Sequence, residues 1–394
     1  MNIKNIYYFL TSSRSFSIQI VFTINAIYYV SQAGLNPLQL VLIGTIMELA
    51  ILFFEIPTGL VADFFGRKQS LIIGTFIIGT AYLLEGSIPA FWAIAIGAAL
   101  WGIGWTFISG AETAWIADEL ENHELDQVFL KGAQYSSIGS FFGIIISVLL
   151  ATIFTVQSAI LIAGGLLILI ALIALKIVPE TKFVSVVRED TTNIQQMRLA
   201  IKGGLTQIRG NSVLVGLAAI TLFAGLASEG FDRLWGAHFI EGFQLNEAEA
   251  IYWFGAFYAI AFLLNIGVLK MVDAFVKERF ALVLLLLNSL LVLAMLFFAF
   301  SGNFLLAVFL YLVIASLRAV NYPLISVMTN KQLQSQGRAT ALSMFGQLDA
   351  IGQVAGGPLV GMIALYTSIQ GGLATSAILI IPTLYFLWRM RKIA

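Results

Sequence analysis

The chain has 394 residues, 59% of them hydrophobic and 11% charged, with 21 basic side chains balanced by 21 acidic ones. That is more apolar than a soluble core requires and poorer in charge than a soluble surface, so the composition describes a protein dissolved in lipid. No cysteine occurs and the two histidines, His123 and His238, lie far apart, which argues against disulfides, thiol catalysis and a cysteine or histidine metal cluster.

The first apolar stretch, 6–32, carries Arg14 amid Thr11, Ser12, Ser13, Ser15 and Ser17. It lacks a small-residue cleavage site and reads as a retained helix, not a leader. Stretches 38–62, 69–88, 90–116, 130–154 and 157–178 follow, each long enough to cross about 30 Å of hydrocarbon. The longest polar stretch, 179–211, comes next and contains Glu180, Lys182, Arg188, Arg198 and Arg209. Beyond it lie 212–239, 248–272, 280–300, 303–327, 338–366 and 369–388. The expectation is an all-α membrane protein of twelve transmembrane helices: a bundle over 1–178, a cytoplasmic linker over 179–211 and a second bundle over 212–394.

Charge sets the orientation. Lysines and arginines occupy alternate connections and the tails, whereas the turns near Gly34, Ser87, Thr155, Gly242, Ser301 and Thr367 have none. Basic loops stay inside, so both termini are expected in the cytoplasm of a multi-pass protein of the cell membrane. The same topology accounts for the basic residues without nucleic acid. No G-x-x-x-x-G-K-[ST] phosphate loop is present, so any work the chain does would draw on gradients.

The halves echo each other. Asp63 and Arg67 after the second span are matched by Asp273 and Lys277 after the eighth, and Lys131, Ser136 and Gly139 by Arg338, Ser343 and Gly346. Parallel six-helix repeats are one way to build a transporter. Gly139 and Gly143, and then Gly352, Gly356, Gly357 and Gly361, form small-xxx-small patterns. They read first as packing faces, and Gly357-Pro358 also offers a place to bend.

Between the second and third spans stands Gly59-Leu-Val-Ala-Asp63-Phe-Phe-Gly66-Arg67-Lys68, which resembles the signature cytoplasmic loop of the major facilitator superfamily. Phe54-Glu-Ile-Pro-Thr-Gly59, Ser109 to Asp118, Ser228 to Trp235 and Arg338 to Ser343 look like an uncharacterised, drug-efflux-like bacterial branch of it. The resemblance implies two pseudo-symmetric six-helix halves, with the first, fourth, seventh and tenth helices lining a central cavity. It also implies that Asp63 and Arg67 act as a cytoplasmic gate, Arg67 pairing with an acid at the end of the fourth span, for which Asp118 is the candidate. The chain departs from better-known proton-coupled antiporters, lacking their mid-helix arginine in span four and their Gly-Pro signature in span five.

Arg14, Arg233 and Arg318 lie within apolar spans, where a charge costs roughly 2.5–3.5 kcal/mol. With Glu112, Glu229 and Asp232 they fall on the first, fourth, seventh and tenth spans. Helical spacing aligns Tyr7, Arg14, Asn25 and Tyr28 on span one, Tyr311, Arg318 and Tyr322 on span ten, and Trp101, Trp105, Glu112 and Trp115 on span four. Trp101 and Trp105 are cavity wall or core, and Glu229 with Arg233 is a site or a structural ion pair. Glu55 reads as part of the gate, Trp92, Trp253 and Trp388 as interface anchors, and His238 as incidental. Seven acids against three arginines leave carboxyls in excess, and one that is protonated on one side and released on the other carries a proton; Glu48, Glu112, Asp232 and Asp349 are the candidates.

The reading is a non-enzymatic, cofactor-free, metal-free monomer that exports a small amphipathic or drug-like solute in exchange for protons by alternating access. Proton-coupled uptake of an anionic or zwitterionic solute, or lipid flipping, are the alternatives.

Overall fold

In the computed structural model, residues 2–120, 122–183, 205–275, 279–333 and 338–391 are described. They form twelve long α-helices. In chain order these are α1 Ile3–Ile27, α2 Pro37–Phe65, α3 Arg67–Ser87, α4 Phe91–Glu119, α5 Asn122–Ile153 and α6 Val156–Ile177. Then come α7 Ser212–Gly242, α8 Glu247–Phe275, α9 Phe280–Ala299, α10 Phe304–Gln332, α11 Arg338–Tyr366 and α12 Ile369–Met390. The shortest, α9, has 20 residues and spans about 30 Å.

Eleven described helices are long and apolar enough to cross a membrane. The helix below that threshold is α1, because its middle is hydroxyl-rich. Thr11 and Ser17 donate back to the carbonyls of Tyr7 and Ser13, at 3.0 Å each, and Ser15 pairs with Ser136 of α5 at 2.7 Å. Internal bonds of this kind remove hydroxyls from contact with lipid.

Helix contacts repeat between the two sets of six. α1 packs on α5 and α6 as α7 packs on α11 and α12; α3 packs on α4 and α6 as α9 packs on α10 and α12. The glycine patterns bring two of these helix pairs into close backbone contact. A Cβ at Gly139 or Gly143 would run into the carbonyls of Ser12 or Phe16, and one at Gly352 or Gly356 into those of Leu222 or Leu226. Gly352 and Gly356 thus hold the places of Gly139 and Gly143. Gly346, matched to Gly139 by sequence spacing, meets nothing within 4 Å, so the spacing match does not follow the packing. α11 runs as one helix through Gly357-Pro358, and Gly357 lies against Thr45 Oγ1.

The described residues fall into two compact units. One holds α1, α3 to α6, α2 from Ile46 and α8 through Ala259; the other holds α7, α9 to α12, α2 through Thr45 and α8 from Ile260. In the second, Leu217, Leu284, Val320, Phe345 and Leu387 belong to one core. Of the expected linker, 184–204 lie outside the described residues, as do Lys277 and the side chain of Asp273.

Its ends are fixed. Asn211 caps α7, its Oδ1 accepting from Val213 N at 2.9 Å. At the other end the Glu180 carboxylate accepts from the backbone N–H groups of Arg67 and Lys68 at 2.6 and 3.0 Å. This carboxylate occupies the positive end of α3. Gly66, with φ of 111°, makes the turn, and a side chain there would meet Glu180.

Candidate functional site

Each unit has an open cavity lined by an arginine and a carboxylate. In the unit of α1 it measures about 520 Å³ and is lined by Tyr7, Thr11, Arg14, Ser15, Gln19, Phe22, Trp101, Trp105, Glu112 and Ser136, among others. Arg14 Nη2 donates to Glu112 Oε2 at 2.5 Å, with both side chains largely buried. The other carboxylate oxygen, Oε1, is buried and accepts no hydrogen bond among the described residues. Trp101 and Trp105 stack with ring planes 9° apart and centroids at 5.6 Å, and Trp101 is fixed by its N–H donating to the Tyr82 hydroxyl at 2.9 Å. Both tryptophans are cavity wall.

In the unit of α7 the cavity measures about 550 Å³. Arg318 on α10 grips Asp232 on α7 with two parallel bonds of 2.5 and 2.7 Å, the fork geometry that guanidinium and carboxylate share. Its guanidinium also lies 5.2 Å from the centroid of the Phe231 ring. Tyr322 lines this cavity, as does Asp349, which accepts from Gln353 Nε2 at 2.9 Å. Glu229 and Arg233 pair at 3.1 Å one helical turn apart on α7, with Glu229 buried against Gly44.

Each embedded arginine therefore meets an acid, which lowers the cost of its burial. The geometry leaves Asn25 and Tyr311 outside these cavities, and the Glu229–Arg233 pair lines neither of them. Asn25 shares the azimuth of Arg14, but eleven residues along α1 place it about 16 Å farther down the axis. Tyr311 is buried on Trp235, with centroids at 4.5 Å. Tyr28 is also buried, donating to the Glu85 carbonyl at 2.6 Å from a single π turn, Tyr28–Gln32. Glu48 is half-buried on α2 and lines neither cavity. His238 is buried among Phe239, Phe243 and Phe298, its Nε2 3.2 Å from the Phe298 carbonyl.

A third, smaller cavity of about 190 Å³ lies at the signature loop and is lined by Glu55, Asp63, Arg67, Thr106 and Ser109 among others. Arg67 Nε and Asp118 Oδ2 lie 3.0 Å apart. Next to Asp118, Glu119 accepts from the backbone of Thr181 and Lys182 at 2.6 and 3.1 Å, and Trp115 donates to the Pro179 carbonyl at 2.7 Å.

Sequence reasoning missed three participants: Glu180, Glu119, and the buried Asn288 of α9, which donates to Asn321 Oδ1 at 2.7 Å beside Arg318's cavity. A lone asparagine in the run Leu284-Leu-Leu-Leu-Asn288-Ser-Leu-Leu was the signal for the last.

A sequence profile described as the Major Facilitator Superfamily matches residues 7–348. An uncharacterized MFS-type transporter of Bacillus subtilis (strain 168), YxaM, is 22% identical over 385 residues, 97% of this chain and 94% of that one. Similar solved structures include the nucleoside transporter NupG, with a TM-score of 0.79 and 14% identity over 99% of both chains. A bacterial homolog of the human lysosomal transporter Spinster aligns with a TM-score of 0.77 at 12% identity, over 99% of this chain and 96% of that one. A POT family transporter in complex with 5-aminolevulinic acid has a TM-score of 0.76 and 12% identity, with the same coverages.

Proposed function

The chain belongs to the major facilitator superfamily, and on that premise we propose that it is a secondary active transporter exporting a small amphipathic solute across a bacterial cytoplasmic membrane in exchange for protons, by alternating access. The observation that carries this reading is an arginine–carboxylate pair inside a cavity in each unit. Aromatic walls hold the apolar part of a solute and the charged groups its polar part. Embedded charges of this kind mark solute and ion pathways. Asp349 is the favoured proton carrier, since it lines a cavity with an amide from Gln353 as its hydrogen-bond partner. Export follows the resemblance of the four stretches quoted above to the drug-efflux-like branch.

Purified protein in liposomes, loaded with candidate solutes, tests the proposal. An imposed pH gradient should drive solute movement against its concentration, and Asp349→Asn should leave only downhill exchange. Flux indifferent to the gradient between pH 5.5 and 8 would remove the proton. A second reading, uptake of an anionic or zwitterionic solute, is favoured by Arg14, which spends one N–H on Glu112 and has others to offer; gradient-driven accumulation inside cells would select it.

A further inference from the structure

The two arginine–carboxylate pairs differ in one respect. Arg318 engages both oxygens of Asp232, so that pair is closed on itself. Arg14 engages one oxygen of Glu112 and leaves Oε1 buried without a donor. Beside this open pair stands a flat indole wall, Trp101 fixed by Tyr82 and Phe22 and Trp105 parallel to it, with Trp105 36% exposed.

We infer that the cavity of α1 and α4 binds a planar heteroaromatic solute whose edge carries an N–H beside a C=O, the lactam pattern, with the ring stacked on the indole wall. This rests on the reading of that cavity as a solute site and adds its chemical class. The N–H donates to Glu112 Oε1, a buried acceptor that otherwise has no hydrogen bond. The C=O accepts from Arg14, whose guanidinium has five N–H groups and gives one to Glu112. A simple carboxylate would set its charge against Glu112, and a simple ammonium would set its own against Arg14. An uncharged edge satisfies both and adds no charge to a site where the pair is already neutral. Offset stacking on an indole favours a flat ring over a saturated one, and about 520 Å³ accommodates a bicyclic molecule.

The test uses the full-length protein in detergent with 2-quinolone, N-methyl-2-quinolone and naphthalene, with binding read by tryptophan quenching and by thermal shift. Wild type should prefer 2-quinolone over its N-methyl derivative by about ten- to a hundredfold, the value of one hydrogen bond to a charged group. Glu112→Gln keeps an acceptor for Arg14 but turns a donor toward the cavity, so this preference should vanish. Trp105→Ala should weaken both bicyclic lactams. Equal binding of the two by wild type, preserved preference in Glu112→Gln, or no binding of either would overturn the inference. Equal binding by a protein that still exchanges other solutes for protons sinks this inference alone. Selective binding without any flux sinks the transport reading alone.

Discussion

Arg67 and Asp118 join the start of α3 to the end of α4 across 3.0 Å, with side chains 21% and 35% exposed. A pair so open to solvent contributes about 0–1 kcal/mol to stability, so any importance it has lies in the cycle. Asp118→Asn should leave the melting temperature within about 2 °C and slow transport several-fold at unchanged solute affinity. The charge swap Arg67→Asp with Asp118→Arg should recover part of the rate. Asp63→Lys should act likewise, on rate more than on affinity. Stopped-flow flux with equilibrium binding separates the two quantities.

Burial reverses the balance at Arg14 and Glu112. Removing one member leaves an uncompensated charge and should cost about 3–5 kcal/mol. Arg14→Ala and Glu112→Ala are therefore each expected to lower the melting temperature in detergent sharply, whereas Arg14→Met with Glu112→Leu regains most of the stability and stays inactive. A double variant that melts as low as the singles would contradict the pairing.

Gly143 and Gly356 lie against backbone carbonyls of α1 and α7, and backbone cannot move aside as a side chain can. Gly143→Val and Gly356→Val should destabilise by about 1–3 kcal/mol or more and reduce folded yield. Gly346→Ala, facing open space, should be neutral or slightly stabilising. Thermal melts of the three variants decide it.

Glu180 caps α3 through two backbone donors. Glu180→Ala should cost about 0.5–2 kcal/mol, and Glu180→Asp should recover little because its shorter stem falls short of both donors. Hydrogen exchange at Arg67 and Lys68 would rise in both.

Spans and their order were readable because apolar length and loop charge are local properties of sequence. Pairings were not equally so. The i,i+4 rule paired Glu229 with Arg233, as the structure does, but Asp232 goes to Arg318, 86 positions away, and no local rule names that partner. Arg67 with Asp118 was reached only through a family resemblance. Helical spacing fixes azimuth but not height, so Asn25 and Tyr311 share a stripe with an arginine whose cavity they do not line. Glu180 escaped notice because a carboxylate capping another helix looks, in sequence, like any charge in a polar stretch.

The hydroxyl-rich middle of α1 bears on biogenesis. A segment that carries Arg14 in its middle, and whose remaining polar face is met by Ser136, Gly139 and Gly143 of α5, partitions poorly by itself. It leaves the ribosome more than a hundred residues ahead of that partner. Stable membrane integration of α1 is then a late, cooperative event that waits for α5, and a cysteine placed in the middle of α1 should stay open to a water-borne thiol reagent in chains arrested before α5, while α2 to α4 are already embedded.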